Sequence, residues 1–178
     1  IFMRIAIFID GSNFYYTQKK LEWKVDVKKI LDYCSQWGDI TDTYYYNGSD
    51  GDNDNQRSFF NFLTSVGFAI VTKPIKHYYN DDGTSSAKAN LDIEIVMDMF
   101  STIDTYDMAV LVSGDSDFER ALQMLRARGK KFKVFSTAAC VAKEIRYVCG
   151  MHFIDFSDIR NEVEKTTKSS REYTTDEE

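Results

Sequence analysis

The chain has 178 residues, of which 43% are hydrophobic and 15% aromatic, enough to bury the core of one domain. Its apolar stretches are short and interrupted by charge, which excludes a membrane-spanning helix, and its formal net charge of −6 argues against a general positive field for holding nucleic acid. Cys34, Cys140 and Cys149 share no metal-ligand or redox spacing and read as reduced thiols of a cytoplasmic protein.

In chain order, Ile1 to Arg4 runs straight into Ile5 to Ile9 without the charged, apolar and cleavage regions of a signal peptide, so Met3 reads as the natural start. Arg4 to Ile9 is a continuous apolar run of strand length. The turn and cap residues Asp10-Gly11-Ser12-Asn13 follow it, which predicts a buried strand feeding a helix capped by Ser12 or Asn13. Val27, Ile30, Leu31 and Cys34 recur at helical spacing, Ile40 to Asn47 reads as a second strand, and Gly48 to Asn55 as a polar loop. At least one of Tyr44, Tyr45 and Tyr46 is expected in the core, because side chains alternate across a strand. Phe59, Phe62, Leu63 and Val66 predict a helix ending at Gly67, before a strand Phe68 to Val71.

Lys73 to Lys88 is the longest irregular stretch. It holds the sole proline, Pro74, and a hairpin-tip signal at Asn80 to Thr84. Asn90 can cap a helix Leu91 to Phe100. Met108 to Val112 is another buried strand, running into Ser113-Gly114-Asp115-Ser116-Asp117, where Ser116 and Glu119 fit a capping box. The helix so opened carries Phe118, Ala121, Leu122 and Leu125 and closes at Gly129. A strand Phe132 to Phe135, a helix through Val141, Ile145 and Val148, and a short strand within His152 to Phe156 complete the chain. Residues 3–160 are expected to form the domain and 161–178 a polar tail, disordered from Glu164.

Strands alternating with helices imply an α/β fold, a doubly wound and mostly parallel sheet flanked by helices in three layers. In such sheets the ligand crevice lies at the carboxyl ends of the strands. Asp10, Asp115 and Asp117 sit at such ends, and Asp92 opens the helix leading into the fourth strand. Each acid alone has an ordinary reading: Asp92 and Asp117 suit a helix macrodipole, while Asp10 and Asp115 are common turn residues. Together they favour a metal site, since two like charges about 4 Å apart cost roughly 4 kcal/mol at an effective dielectric near 20. Oxygen-only ligands select Mg²⁺ or Mn²⁺. Asn13 can cap its helix or orient a metal-bound water or a phosphate. Glu94 and Asp98 read as solvated or structural.

Ile7 to Asn13, Lys88 to Ile95 and Val112 to Phe118 occur in order, and together they closely resemble NYN domains. That family includes the LabA-like proteins and belongs to the PIN-like nuclease superfamily; the resemblance covers about Arg4 to Phe156. It implies a PIN-like doubly wound fold, metal-binding acids at Asp10, Asp92, Asp115 and Asp117 with Asn13 beside them, and a neighbouring hydroxyl at Ser113. The implied activity is metal-dependent endonucleolytic cleavage of single-stranded RNA by in-line attack of an activated water. Asn13, Ser113, Lys76 and Lys88 are the expected nucleic-acid contacts. The two lysines lie in an aromatic stretch with Lys73, His77, Tyr78 and Tyr79, and Arg57 is a further candidate. The denser basic run Arg126, Arg128, Lys130, Lys131 and Lys133 falls at the opposite sheet edge, where cations suit a helix C-terminus. Two other classes compete: a non-catalytic RNA- or protein-binding module using the same crevice, and a metal-dependent phosphohydrolase of small esters. The sequence leaves a homodimer open.

Overall fold

The computed structural model describes residues 2–51, 53–79 and 85–166, with 76–79 and 85–88 as backbone only. Its strands are β1 (Arg4–Asp10), β2 (Asp39–Ser49), β3 (Ala69–Pro74), β4 (Lys76–Tyr79), β5 (Ser85–Lys88), β6 (Met108–Val112), β7 (Lys131–Ser136) and β8 (Phe153–Asp155). The helices are α1 (Gly11–Leu21), α2 (Val27–Cys34), α3 (Asp54–Ser65), α4 (Asp92–Ser101), α5 (Glu119–Ala127), α6 (Lys143–Cys149) and α7 (Arg160–Val163). Six strands form one sheet in the order β3-β2-β1-β6-β7-β8, every pairing parallel.

The central strand explains the layering. Ile5, Ile7 and Ile9 of β1 face one side and Ala6 and Phe8 the other, all fully buried, so both faces must be covered by helices. The first face packs on Phe14 of α1, Ile30 and Cys34 of α2, Leu63 of α3 and Val163 of α7. The second packs on Ile95 and Met99 of α4, Leu122 and Leu125 of α5, and Ile145 and Val148 of α6. Strand order reverses between β1 and β6, which opens a crevice at their carboxyl ends.

Tyr45 and Tyr46 are both buried, one in each core, as alternation along β2 requires. The stretch expected to be irregular from Lys73 is more ordered: β3 continues through Pro74, tolerated because β3 is an edge strand, and β4 and β5 pair antiparallel. The expected hairpin tip, Asn80 to Thr84, lies outside the described residues. Packing continues past residue 160, with Val163 buried and Glu164 bridging to Val25. Among the described residues no helix is long and apolar enough to cross a membrane.

Candidate metal centre

Three chain segments meet at the β1/β6 switch point. One carboxylate oxygen from each of Asp92, Asp115 and Asp117 comes within 4.8 Å of the other two. Asp92 is the first residue of α4, Asp115 caps a single 3₁₀ turn Ser116–Phe118 that leads into α5, and Asp117 lies within that turn. Asp10, the last residue of β1, lines the same crevice of about 330 Å³ with Asn13, Tyr16, Asn90, Asp92 and Asp115.

The acids are fixed by hydrogen bonds that cross between strands. Asp10 Oδ1 accepts the Asn13 amide (3.1 Å), and Oδ2 accepts the Ser113 hydroxyl (3.1 Å). The same hydroxyl oxygen accepts the Asp115 amide at 3.2 Å, while Asn13 Oδ1 accepts the Gly114 amide at 2.9 Å. Asp115 Oδ1 in turn accepts the Asp117 amide (3.0 Å). Asn90 and Asp92 form a reciprocal pair, Nδ2 donating to Asp92 Oδ2 at 2.7 Å and Oδ1 accepting the Asp92 amide at 2.9 Å.

Two glycines permit this convergence. A Cβ on Gly11 would meet the Tyr46 carbonyl at 2.6 Å, and one on Gly114 would meet Ser136 Oγ at 2.7 Å and the Cys140 carbonyl at 2.8 Å. No side chain fits at either position without moving the adjacent acid.

Burial and neighbouring carboxylates raise the pKa of two of these acids. Burial pushes Asp10 up to about 6, with the charges of Asp92 and Asp115 adding to the rise and its two hydrogen bonds opposing it. Asp92 is raised too, first by burial and then by Asp115, Asp117 and Glu94, against the hydrogen bond from Asn90. Like charges at 4.8 Å repel by roughly 3–4 kcal/mol at an effective dielectric near 20. Among the described residues no lysine or arginine pairs with these acids. The donors are carboxylate oxygens alone, without imidazole or thiolate, a set that fits Mg²⁺ or Mn²⁺.

Several expectations change in detail. The cap of α1 is Asp10 rather than Ser12 or Asn13, because the Asn13 side chain is drawn across to Gly114. The expected capping box of Ser116 and Glu119 gives way to Asp115, since the chain makes a 3₁₀ turn before α5 begins at Glu119. Ser113 is only 1% exposed and its hydroxyl is engaged by Asp10 and Asp115, so it positions these acids. Lys73 is held by Glu94 at 2.7 Å, and Asp98 accepts the Tyr46 hydroxyl at 2.9 Å, so both acids of α4 outside the cluster have structural partners. In the basic run, Arg126 bonds the Val148 carbonyl and Lys130 the Tyr106 carbonyl, each at 2.6 Å, while Lys133 lies over Trp37. The side chains of Lys76, His77, Tyr78, Tyr79 and Lys88 lie outside the described residues.

Sequence reasoning gave Asn90 only a capping role and passed over Tyr16. Asn-x-Asp spacing is a signal for the first, and a helical position one turn after Asn13 for the second.

This α/β architecture, with its acidic crevice at the switch point, is of nuclease type, and the chain belongs to the NYN domain family, which matches residues 4–163. It is 41% identical over 169 residues to the low amplitude and bright protein LabA of Synechococcus elongatus, covering 93% of this chain and 90% of that protein. A crystal structure of a protein of unknown function from Vibrio parahaemolyticus shares the fold at a TM-score of 0.76 and 24% identity, over 92% of this chain and 97% of that one.

Proposed function

We propose that this protein is a cytoplasmic, metal-dependent endoribonuclease that cleaves phosphodiester bonds of single-stranded RNA in the acidic crevice. The observation that carries the reading is the approach of Asp92, Asp115 and Asp117 within 4.8 Å, with Asp10 beside them. The unpaired cysteines suit a reducing compartment.

Asp92, Asp115 and Asp117 would hold a divalent ion, Mg²⁺ or Mn²⁺, with Asp10 as a fourth carboxylate on the crevice wall. Such an ion would supply a Lewis acid for the phosphate oxygens and for the attacking water. Asp117 is the exposed member of the cluster and would face the attacking water arriving from solvent. Asn13 anchors the β6 turn through its carbonyl oxygen, which leaves its amide N–H groups for a phosphate oxygen. Lys76 and Lys88 oppose each other at the base of the hairpin, whose continuation, Asn90, lines the crevice; they grip the strand through its phosphates.

The test is incubation of the purified protein with end-labelled single-stranded RNA in Mn²⁺, Mg²⁺ or EDTA. Internal fragments with either ion and none in EDTA are expected. Cleavage that persists in EDTA overturns the metal assignment. Binding without cleavage indicates a non-catalytic module, and turnover of small phosphate esters alone indicates a phosphohydrolase.

A further inference from the structure

Tyr15 and Tyr16 are adjacent residues of α1, yet they are 47% and 63% exposed, a costly use of two large rings on a helix already anchored by Phe14. They line two different cavities. Tyr16 borders the acidic crevice, whereas Tyr15 borders a groove of about 300 Å³ lined also by Phe59 and Phe62 of α3, Lys24 and Lys165. Their rings meet edge to face at 5.7 Å, so the aromatic surface is continuous from crevice to groove.

Cations accompany the rings. Lys19 Nζ stands 4.7 Å from the Tyr15 centroid and 6.0 Å from that of Tyr16, and Lys24 Nζ stands 5.8 Å from Tyr15. Lys165 is tied to Lys24 by a backbone bond of 2.8 Å, which adds a third lysine at the same place. Among the described residues none of the three is in an ion pair, and the Asp26 carboxylate in the groove accepts the Lys28 amide. In a chain of net charge −6 the charged residues lining this groove are two lysines and one aspartate.

We infer that the Tyr16–Tyr15 surface and the groove between α1 and α3 are a stacking platform for single-stranded RNA leaving the acidic crevice, with bases on the rings and phosphates at Lys19 and Lys24. The lysines that lie over the rings must swing from ring face to phosphate as a base stacks, and the set then suits a flexible strand, since every base has a face to stack and every linkage a charge to neutralise. A duplex, whose bases are already stacked on each other, cannot use the rings. Asn13 to Lys19 spans about 9 Å of helix, so the platform engages nucleotides flanking the scissile linkage and not the linkage itself. The inference rests on the proposed RNA substrate and extends it away from the metal.

Fluorescence anisotropy with a fluorescein-labelled single-stranded RNA, in EDTA to prevent cleavage, tests it. Replacing both tyrosines, Tyr15→Ala with Tyr16→Ala, should weaken binding at least about 10-fold, while Tyr15→Phe with Tyr16→Phe, which keeps the rings, should bind as the parent does. Lys19→Ala with Lys24→Ala should lower the logarithmic salt slope by about 0.7 per lost contact. Unchanged affinity in the double tyrosine-to-alanine variant overturns the platform, as does equally tight binding of a duplex RNA. Calorimetric titration with Mn²⁺ separates the two readings. A parent that binds Mn²⁺ and RNA, with RNA binding indifferent to the tyrosines, loses only the platform. A parent that binds RNA through the tyrosines but neither binds Mn²⁺ nor cleaves loses only the catalytic assignment.

Discussion

The Ser113 hydroxyl donates to Asp10 Oδ2 across 3.1 Å, although the two residues are 103 apart in the chain. It also receives the Asp115 amide, so one buried side chain sets the spacing of acids on β1 and after β6. Ser113→Ala should leave the Asp10 carboxylate short of a partner and cost about 1–3 kcal/mol of stability. Mn²⁺ affinity and RNA cleavage should fall with it. Calorimetric metal titration alongside thermal unfolding checks this; a variant with parental metal affinity would show that the hydroxyl does not position the acids.

Asp115→Asn retains the oxygen that accepts the Asp117 amide and removes one charge from the cluster. The fold should persist, with unfolding temperature in EDTA equal to or above that of the parent because repulsion is relieved. Metal binding and cleavage should drop by orders of magnitude. Parental cleavage rates at equal Mn²⁺ would falsify the assignment.

Stability of the metal-free protein should depend on pH with a sign set by Asp10. Its pKa is raised from 3.8 to about 6 on folding, so its favourable contribution is complete below about pH 4 and is lost as pH rises through about 6. That loss is on the order of 3 kcal/mol. Asp107, held down to about 2 by the Arg4 guanidinium, works in the opposite sense and in a lower window, its contribution vanishing as pH falls through about 2. Unfolding in EDTA between pH 4 and 8 should therefore show a decline that Asp10→Asn flattens. An equal decline in parent and variant would place its origin elsewhere.

Gly114→Ala would place a methyl group 2.7 Å from Ser136 Oγ and 2.8 Å from the Cys140 carbonyl. Relief requires the β6 turn to move, at about 1–3 kcal/mol for overpacking. The unfolding temperature and Mn²⁺ affinity should fall together, as read by calorimetry.

Lys76→Ala with Lys88→Ala should weaken RNA binding and flatten its salt dependence, whereas Lys130→Ala with Lys131→Ala should do little, because Lys130 is occupied at the Tyr106 carbonyl. Anisotropy across a salt series with Ca²⁺ in place of the catalytic ion separates the pairs. A larger loss in the second pair would move the substrate path to the opposite edge.

The layering was legible wherever a strand buried both faces or a helix buried one, as with Ile5 to Ile9 and the Phe118, Leu122 and Leu125 stripe. Asp10 and Asp115 could be placed because strand ends in a parallel sheet converge. What escaped were choices among short polar partners. Asp10, Ser12 and Asn13 can all cap α1, and only the position of Gly114, a hundred residues later, decides that Asn13 turns away and Asp10 takes the role. The β4–β5 pairing was signalled only by the hairpin-tip residues expected between the two strands, since neither strand carries a clear pattern alone. Tyr15 and Tyr16 gave no helical stripe to read, being adjacent and outward-facing.

Because Asp10 both starts α1 and stands in the crevice, it answers to two selective demands, whereas the Asp117 carboxylate has no hydrogen-bond partner among the described residues and answers to one. On the proposed reading, a relative without catalysis would still need Asp10, or an asparagine, to begin its first helix, but would be free to drift at Asp117. Loss of the exposed acid, not of the buried one, is therefore the mark by which silenced copies of this domain should be told from working ones.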